Sequence, residues 1–189
     1  AWMKTNNSVI EGGLLKPECY EAFARHCGEY IKLVKEKCGI DIYAVSLQNE
    51  PAFVEPYRSC VYSPEQLRDI IKVAGAYFAK EGITAKIFMP EDVEWFPRMK
   101  EYIEIVCGDD EALKYTGFGA IHGYMNDGVT QGGKVPKLWE DTYALAERYD
   151  RPLWMTETSG YENSWNGAME LAKAIYAALR FGRVSAWVW

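Results

Sequence analysis

Two glutamates occupy equivalent places in the sequence, each directly after a short apolar run. Glu50 ends the segment Tyr43–Glu50, and Glu157 ends the segment Pro152–Glu157. An apolar, partly β-branched run that stops at polar residues is typical of a buried strand in a parallel sheet. Parallel strands end at one edge, so we expect the two carboxylates to face each other across a cleft. Such a pair can cleave a glycosidic bond: one carboxyl protonates the leaving oxygen and the other attacks the anomeric carbon.

Each of these residues also has an ordinary structural interpretation. A single glutamate after a strand is usually a solvated loop carboxylate, and Asn49-Glu50-Pro51 is a weak motif by itself. His122 in isolation is more often a structural hydrogen-bonding residue than a catalyst. Glu91 and Asp92 follow a third apolar run without a motif, so we interpret them as supporting or loop charges. The paired strand-end glutamates remain the stronger indication.

Composition and motifs narrow the possible function classes. A net charge of -6 argues against a nucleic-acid or anionic-membrane partner. The 5 cysteines form no C-x-x-C pair, and the chain has 2 histidines, so neither a zinc site nor a disulfide framework is indicated. A pair involving Cys60 stays open. Phosphate-binding G-x-x-x-x-G-K-S/T, metal-binding H-E-x-x-H and the serine elbow G-x-S-x-G are all missing from the sequence.

Hydrophobic periodicity predicts regular alternation of helices and strands. The predicted helices are Pro17–Cys38, Ser63–Gly82, Phe96–Cys107, Lys137–Tyr149 and Trp165–Phe181. The predicted strands are Tyr43–Leu47, Ala85–Met89, Phe118–His122, Pro152–Glu157 and Val184–Trp189. This order indicates an α/β fold with a parallel sheet. It fits either a small open sheet or the C-terminal part of a (β/α)8 barrel, which needs eight strands and about 250 residues. The abrupt start and the strand at the final residue favour the barrel.

Polar residues gather at the predicted carboxyl ends of the strands, where barrel enzymes carry their active sites. They are Gln48, Asn49, Glu50, Glu91, His122, Tyr124 and Glu157. The chain is also rich in tryptophan, with 7, and tyrosine, with 13. Large flat side chains with a polar group suit sugar faces, although Trp2, Trp165 and Trp189 also fit ordinary packing. Of these, Trp189 at a strand end is the best candidate for stacking on a sugar.

The motifs together resemble one known family. Ser46–Pro51 with Trp154–Glu157 is similar to the clan A glycoside hydrolases, and within them to glycoside hydrolase family 30. Ala1–Asn6, Tyr57–Gln66 and Ala186–Trp189 resemble, in the family's order, its loop after the third barrel strand, its loop after the acid/base and its last strand. The resemblance implies a (β/α)8 TIM barrel, of which residues 1–189 cover roughly strands 4 to 8 and the end of strand 3.

The resemblance also implies roles for individual residues. Glu50 would be the general acid/base and Glu157 the nucleophile of a retaining mechanism. Asn49 would hold the 2-hydroxyl of the sugar, Tyr124 would contact the nucleophile, and Trp189 would form the floor of the subsite. His122 and Trp2 would complete the substrate-binding set. The family uses neither a metal nor an organic cofactor in this chemistry.

Substrate, partners and location follow from the same resemblance. A β-linked oligo- or polysaccharide is implied as substrate, with xylan or a β-glucan favoured. The chain would pack with the remaining strands of its own barrel and with a β-rich side domain, in a secreted or periplasmic protein. Two alternatives stay open: another clan A glycosidase such as a cellulase-like enzyme, and a catalytically silent, sugar-binding barrel fragment.

Overall fold

The computed structural model describes residues 1–93, 98–124 and 135–189. Five parallel strands form one sheet in which each strand pairs with the next along the chain. The strands are β1 (Ala44–Ser46), β2 (Lys86–Asp92), β3 (Thr116–His122), β4 (Leu153–Glu157) and β5 (Ala186–Trp187). Sequential parallel order with helices between the strands is the arrangement of consecutive units of a (β/α)8 barrel.

Six α-helices occur in the described residues, and they connect the strands. They are α1 (Tyr20–Cys38), α2 (Pro64–Lys80), α3 (Arg98–Cys107), α4 (Asp110–Tyr115), α5 (Val135–Arg148) and α6 (Trp165–Arg180). A short 3-10 helix, Pro17–Cys19, precedes α1. None of the helices in the described residues has the length and apolar character needed to cross a membrane.

The helix boundaries follow from local chemistry. The predicted start of α2 is a capping box: Ser63 Oγ accepts the Gln66 N–H, and Gln66 Oε1 accepts the Ser63 N–H. The predicted end of α1 is Gly39, whose φ of 69° is a left-handed conformation that suits glycine. The two features set the residues at which α2 begins and α1 ends.

The structure corrects several predicted boundaries. β1 and β5 are shorter than predicted, with 3 and 2 residues. β2 was predicted to end at Met89 but continues to Asp92, since Pro90 removes only its own donor from the ladder. Helix α4 was not predicted at all; Asp109 caps it by accepting the N–H groups of Glu111 and Ala112. The predicted start of the third helix, Phe96, lies outside the described residues.

Alternation along the strands gives the sheet two different faces. Ile87, Met89, Leu153 and Met155 are buried in the core formed with the helices. The opposite face carries an aromatic stack, in which the ring centroids of Phe118 and Trp154 are 4.2 Å apart, with Phe88 and Tyr43 beside them. Because side chains alternate along β3, His122 projects from the same face as Phe118. The aromatic stack therefore lies beneath the carboxyl-end rim that holds His122.

Candidate active site

Glu50 is held in a constrained turn at the end of β1. Its φ of 47° lies in the left-handed region, which is costly for a residue with a Cβ and occurs mostly where the surroundings enforce it. The Glu50 N–H donates to the carbonyl of Glu91 at 2.7 Å, and the Ala52 N–H donates to Asp92 Oδ2 at 2.7 Å. The loop after β1 is thereby fastened to the end of β2, and the Glu50 side chain is buried.

His122, at the end of β3, is the centre of the site. Its imidazole is fully buried, with Nδ1 2.9 Å from Glu50 Oε1. Its Nε2 lies 3.4 Å from Glu91 Oε1 and 3.8 Å from Glu157 Oε2. Burial by itself lowers the pKa of His122, but the hydrogen bonds to Glu91 and Glu50 outweigh it and raise the pKa above the ordinary value. One ring thus bridges three carboxylates.

Glu157 lies at the end of β4 and is more accessible than Glu50, with 45% of its side chain exposed. Tyr124 donates its hydroxyl to Glu157 Oε1 at 2.9 Å. Burial, followed by this hydrogen bond, raises the pKa of Tyr124, so the phenol stays protonated and remains a donor. An exposed carboxylate held by a tyrosine hydroxyl is fixed in direction and still accessible to a ligand.

Two irregularities in strand pairing bring these side chains together. Between β3 and β4 the register runs from Ile121↔Met155 to His122↔Glu157, so Thr156 is an extra residue. Between β2 and β3 it runs from Pro90↔Ala120 to Asp92↔Ile121, so Glu91 is the extra residue there. A β-bulge of this kind re-aims the side chains that follow it, and bulges are frequent beside active sites. Both strands that flank β3 are therefore adjusted where they meet His122.

The resulting geometry suits acid–base chemistry on a glycoside. One ligand atom each from Glu50, His122 and Glu157 lies within 4.8 Å of the others. Carboxyl groups about 5 to 5.5 Å apart are typical of retaining glycosidases, whereas inverting enzymes hold them about 6.5 to 9.5 Å apart. Carboxylate oxygens and an imidazole nitrogen could also coordinate a metal cation. Glu50 and Glu157 are, however, each already hydrogen-bonded to a protein group, His122 and Tyr124, which favours acid–base use.

Asn49 lies beside this group and is hydrogen-bonded to an additional carboxyl, that of Glu55. Asn49 Nδ2 donates to Glu55 Oε1 at 3.1 Å, and the Glu55 carboxyl lies within hydrogen-bonding reach of Glu50. Glu55 was not predicted from the sequence, because it lies within a loop and does not directly follow a strand. Glu91 could have been ranked higher, because it stands at the end of its strand just as Glu50 and Glu157 do.

The predicted tryptophans lie further out. Trp189 is 60% exposed and packs at 5.7 Å from Tyr161 and 6.2 Å from Trp187, measured between ring centroids. Trp2 is 66% exposed in a turn, where its carbonyl accepts a hydrogen bond from Lys16 Nζ. Within the described residues, neither indole makes a hydrogen bond or a ring contact with Glu50, His122 or Glu157. Their proposed contact with substrate therefore remains a prediction.

Comparison with known proteins identifies relatives of the whole chain. The mouse (Mus musculus) lysosomal acid glucosylceramidase is 27% identical over 197 residues, covering 98% of this chain and 38% of that protein. The glycoside hydrolase family 30 subfamily 8 xylanase Xyn30A from Clostridium acetobutylicum has a TM-score of 0.81 and 29% identity, covering 99% of this chain and 44% of that one. The endo-β1,6-glucanase BT3312 has a TM-score of 0.75 and 25% identity, covering 98% and 42%.

The comparisons confirm the predicted fold. The chain spans less than half the length of these relatives, as a partial (β/α)8 barrel does when it is compared with whole glycosidases. The model of the glycosyl hydrolase family 30 TIM-barrel domain matches residues 1–188. The chain therefore belongs to glycosyl hydrolase family 30.

Proposed function

We propose that this chain carries the catalytic centre of a retaining glycoside hydrolase that cleaves a β-linked polysaccharide by double displacement. Glu157 attacks the anomeric carbon while Glu50 protonates the leaving oxygen, and Glu50 then takes a proton from the water that releases the sugar. Tyr124 orients the nucleophile, and Asn49 meets the 2-hydroxyl of the sugar. The two exposed tryptophans, Trp2 and Trp189, complete the substrate-binding site, and the buried His122, predicted as a substrate-binding residue, instead orients Glu50 from within the protein.

One observation carries the proposal: the carboxylates of Glu50 and Glu157 lie within 4.8 Å of each other around a buried histidine. Their unequal surroundings match their unequal tasks. The Glu50 carboxyl is buried against His122, whereas 45% of the Glu157 side chain is exposed, where a ligand can reach it. A catalytically silent sugar-binding barrel would not need this asymmetry.

The substrate class is supported by the named relatives. A xylanase and an endo-β1,6-glucanase lie among the similar solved structures, and a glucosylceramidase among the similar proteins. The three names refer to a xylan, a β1,6-glucan and a glucosylceramide, which favours xylan or a β-glucan here. For the intact protein we further propose a secreted or periplasmic location, and packing of this chain against the rest of its barrel and a β-rich side domain.

A mechanism-based trap tests the proposal. The intact protein is incubated with 2-deoxy-2-fluoro glycosides of xylose, glucose and galactose, and adducts are located by mass spectrometry of peptides. We expect a stable glycosyl adduct on Glu157 with the xylosyl or glucosyl donor, and none in Glu157→Gln. An adduct at another residue, or product of inverted anomeric configuration by NMR, would contradict the assignment. Adduct formation in Glu101→Gln, exposed on α3, controls for the loss of charge.

A further inference from the structure

Glu55 is a buried carboxyl for which double displacement has no assigned use. It lies in the loop after β1, with 2% of its surface exposed. Glutamates are almost never buried to this degree unless other groups hold them. The partners of Glu55 therefore indicate its role.

The contacts of Glu55 fix it between the loop and the active site. Its Oε1 accepts the Nδ2 donor of Asn49 at 3.1 Å, and its carboxyl meets that of Glu50. Its main-chain carbonyl accepts a hydrogen bond from Ser59 Oγ at 3.3 Å, and the same Ser59 oxygen accepts the Gly12 N–H at 2.8 Å. The carboxyl is thus held beside Glu50 by groups on both sides of the loop.

Two carboxylates in contact repel each other strongly if both are ionised, so such a pair tends to share a proton. Burial, followed by the hydrogen bond with Glu50, raises the pKa of Glu55, and the charges of Glu50 and Glu157 act in the same direction. The hydrogen bond from Asn49 opposes the rise but does not cancel it. Glu55 therefore keeps its proton to higher pH than a solvated glutamate does.

Other ionisable groups lie near the pair formed by Glu50 and Glu55 and have to be considered with it. His122 contacts Glu50 Oε1 at 2.9 Å and connects Glu50 to Glu91 and Glu157. Tyr57 is nearby, and the charge of Glu55 is the main cause that raises its pKa. The Glu55 carboxyl lies within hydrogen-bonding reach of the Glu50 carboxyl, so it is placed to exchange a proton directly with Glu50.

We propose that Glu55 is a positioning residue of the active site, which shares one proton with Glu50 and orients the amide of Asn49. This inference rests on the proposed function, in which Glu50 must carry a proton when substrate binds. The shared proton keeps one carboxyl of the pair protonated at pH values at which an isolated glutamate is ionised. Since one Asn49 N–H is committed to Glu55, its Oδ1 and second N–H remain available to a sugar hydroxyl.

A carboxyl titration tests the proton sharing without relying on activity. Glutamate carboxyl carbons of the intact, 13C-labelled protein are followed by NMR in wild type and in Glu55→Gln. The amide preserves size and an acceptor for Asn49 but removes the ionisable proton. We expect the carboxyl titration at the highest pH of the wild-type pair to move to lower pH by about one pH unit in the variant. Glu170→Gln, exposed on α6, makes the same charge change and should leave that titration in place.

The reciprocal variant covers the case in which Glu55→Gln does not fold. In Glu50→Gln, the titration of Glu55 should move to lower pH, because the neighbouring charge is gone. Unchanged titrations of Glu50 and Glu55 in these two variants would overturn the proposal. A purely structural Glu55 would give that result even if the substitutions altered stability.

The pH dependence of kcat/KM separates failure of this inference from failure of the proposed function. The alkaline limb should move to lower pH in Glu55→Gln, while KM at acidic pH stays close to wild type because the contact with Asn49 is kept. An active enzyme whose alkaline limb does not move would overturn the role of Glu55. An inactive protein in which Glu50 and Glu55 still titrate as a coupled pair would overturn the glycosidase proposal and uphold the shared proton.

Discussion

His122 Nδ1 and Glu50 Oε1 lie 2.9 Å apart at a point where the imidazole has no contact with solvent. The ring fixes the direction of the Glu50 carboxyl and also touches Glu91 and Glu157. A buried network of this kind is stable only while each member keeps its partners. The four predictions that follow test its separate parts.

The role of His122 gives a pH-dependent stability. Its pKa is raised in the folded state, so protonation stabilises the fold fully below the unfolded value of 6.5, and this contribution is lost as the pH rises through the raised pKa. Wild type should therefore exceed His122→Gln in free energy of unfolding by more at about pH 5.5 than at about pH 8.5. Urea denaturation at both pH values measures this, with exposed His26→Gln as control. An equal difference at the two pH values would contradict the prediction.

The role of Glu50 as acid predicts dependence on the leaving group. Glu50→Gln should lower kcat roughly 10²- to 10⁴-fold on a polysaccharide, where the departing sugar oxygen needs a proton. The loss should be far smaller on a nitrophenyl glycoside, whose leaving group departs as a stable anion. Steady-state kinetics on both substrates provide the comparison. Equal losses on both would move the acid role to another residue.

The hydroxyl of Tyr124 should contribute to orienting the nucleophile. Tyr124→Phe removes the 2.9 Å hydrogen bond to Glu157 and should lower kcat/KM about tenfold. We expect the low end of the range for charged hydrogen bonds because both side chains are partly exposed. Tyr176→Phe, on an exposed position of α6, should have no effect. A Tyr124→Phe enzyme with wild-type kinetics would show that the contact is unimportant in the transition state.

Asp92 should hold the loop that carries Glu50. It is fully buried and accepts the Ala52 N–H at 2.7 Å, so Asp92→Ala should lower the free energy of unfolding by about 1 to 3 kcal/mol. Activity should fall as well, since the turn at Glu50 is released. Chemical denaturation together with kinetics tests both effects, and Asp41→Ala on the exposed surface is the control. Loss of stability with full activity would show that the turn at Glu50 does not depend on the hydrogen bond between Ala52 and Asp92.

The sequence predicted the elements whose information is local. Periodicity and the Ser63 cap located the helices, and apolar runs that end in glutamate located Glu50 and Glu157 at one rim. Contacts that depend on tertiary structure were out of reach. Glu55 has no periodic signal, and it matters only because the loop folds back on Asn49. The distance between the two carboxylates likewise depends on how the strands pair.

Helix α4 and the extension of β2 show why boundaries were less certain. The acidic turn at Asp109–Glu111 is a recognisable cap, yet the following helix has only 6 residues and too few turns for a periodic pattern. β2 passes through Pro90 because β3 continues to pair with it before and after that residue, from Met89↔Gly119 to Asp92↔Ile121. In both places tertiary contacts determine where the helix or strand forms, which local propensity alone does not specify.

Because Glu91 and Thr156 are extra residues in their strands, the geometry of the site depends on the number of residues in each strand as well as on their chemistry. Deleting Thr156 would keep every functional residue type in the sequence and still remove the bulge, so Glu157 would follow Met155 in regular alternation and its carboxylate would meet His122 in a different direction. Transfer of this rim onto another barrel must therefore include the bulge of each strand together with its glutamate. Alignments of distant relatives face the same requirement, since a gap shifted by one position would exchange the inner and outer faces.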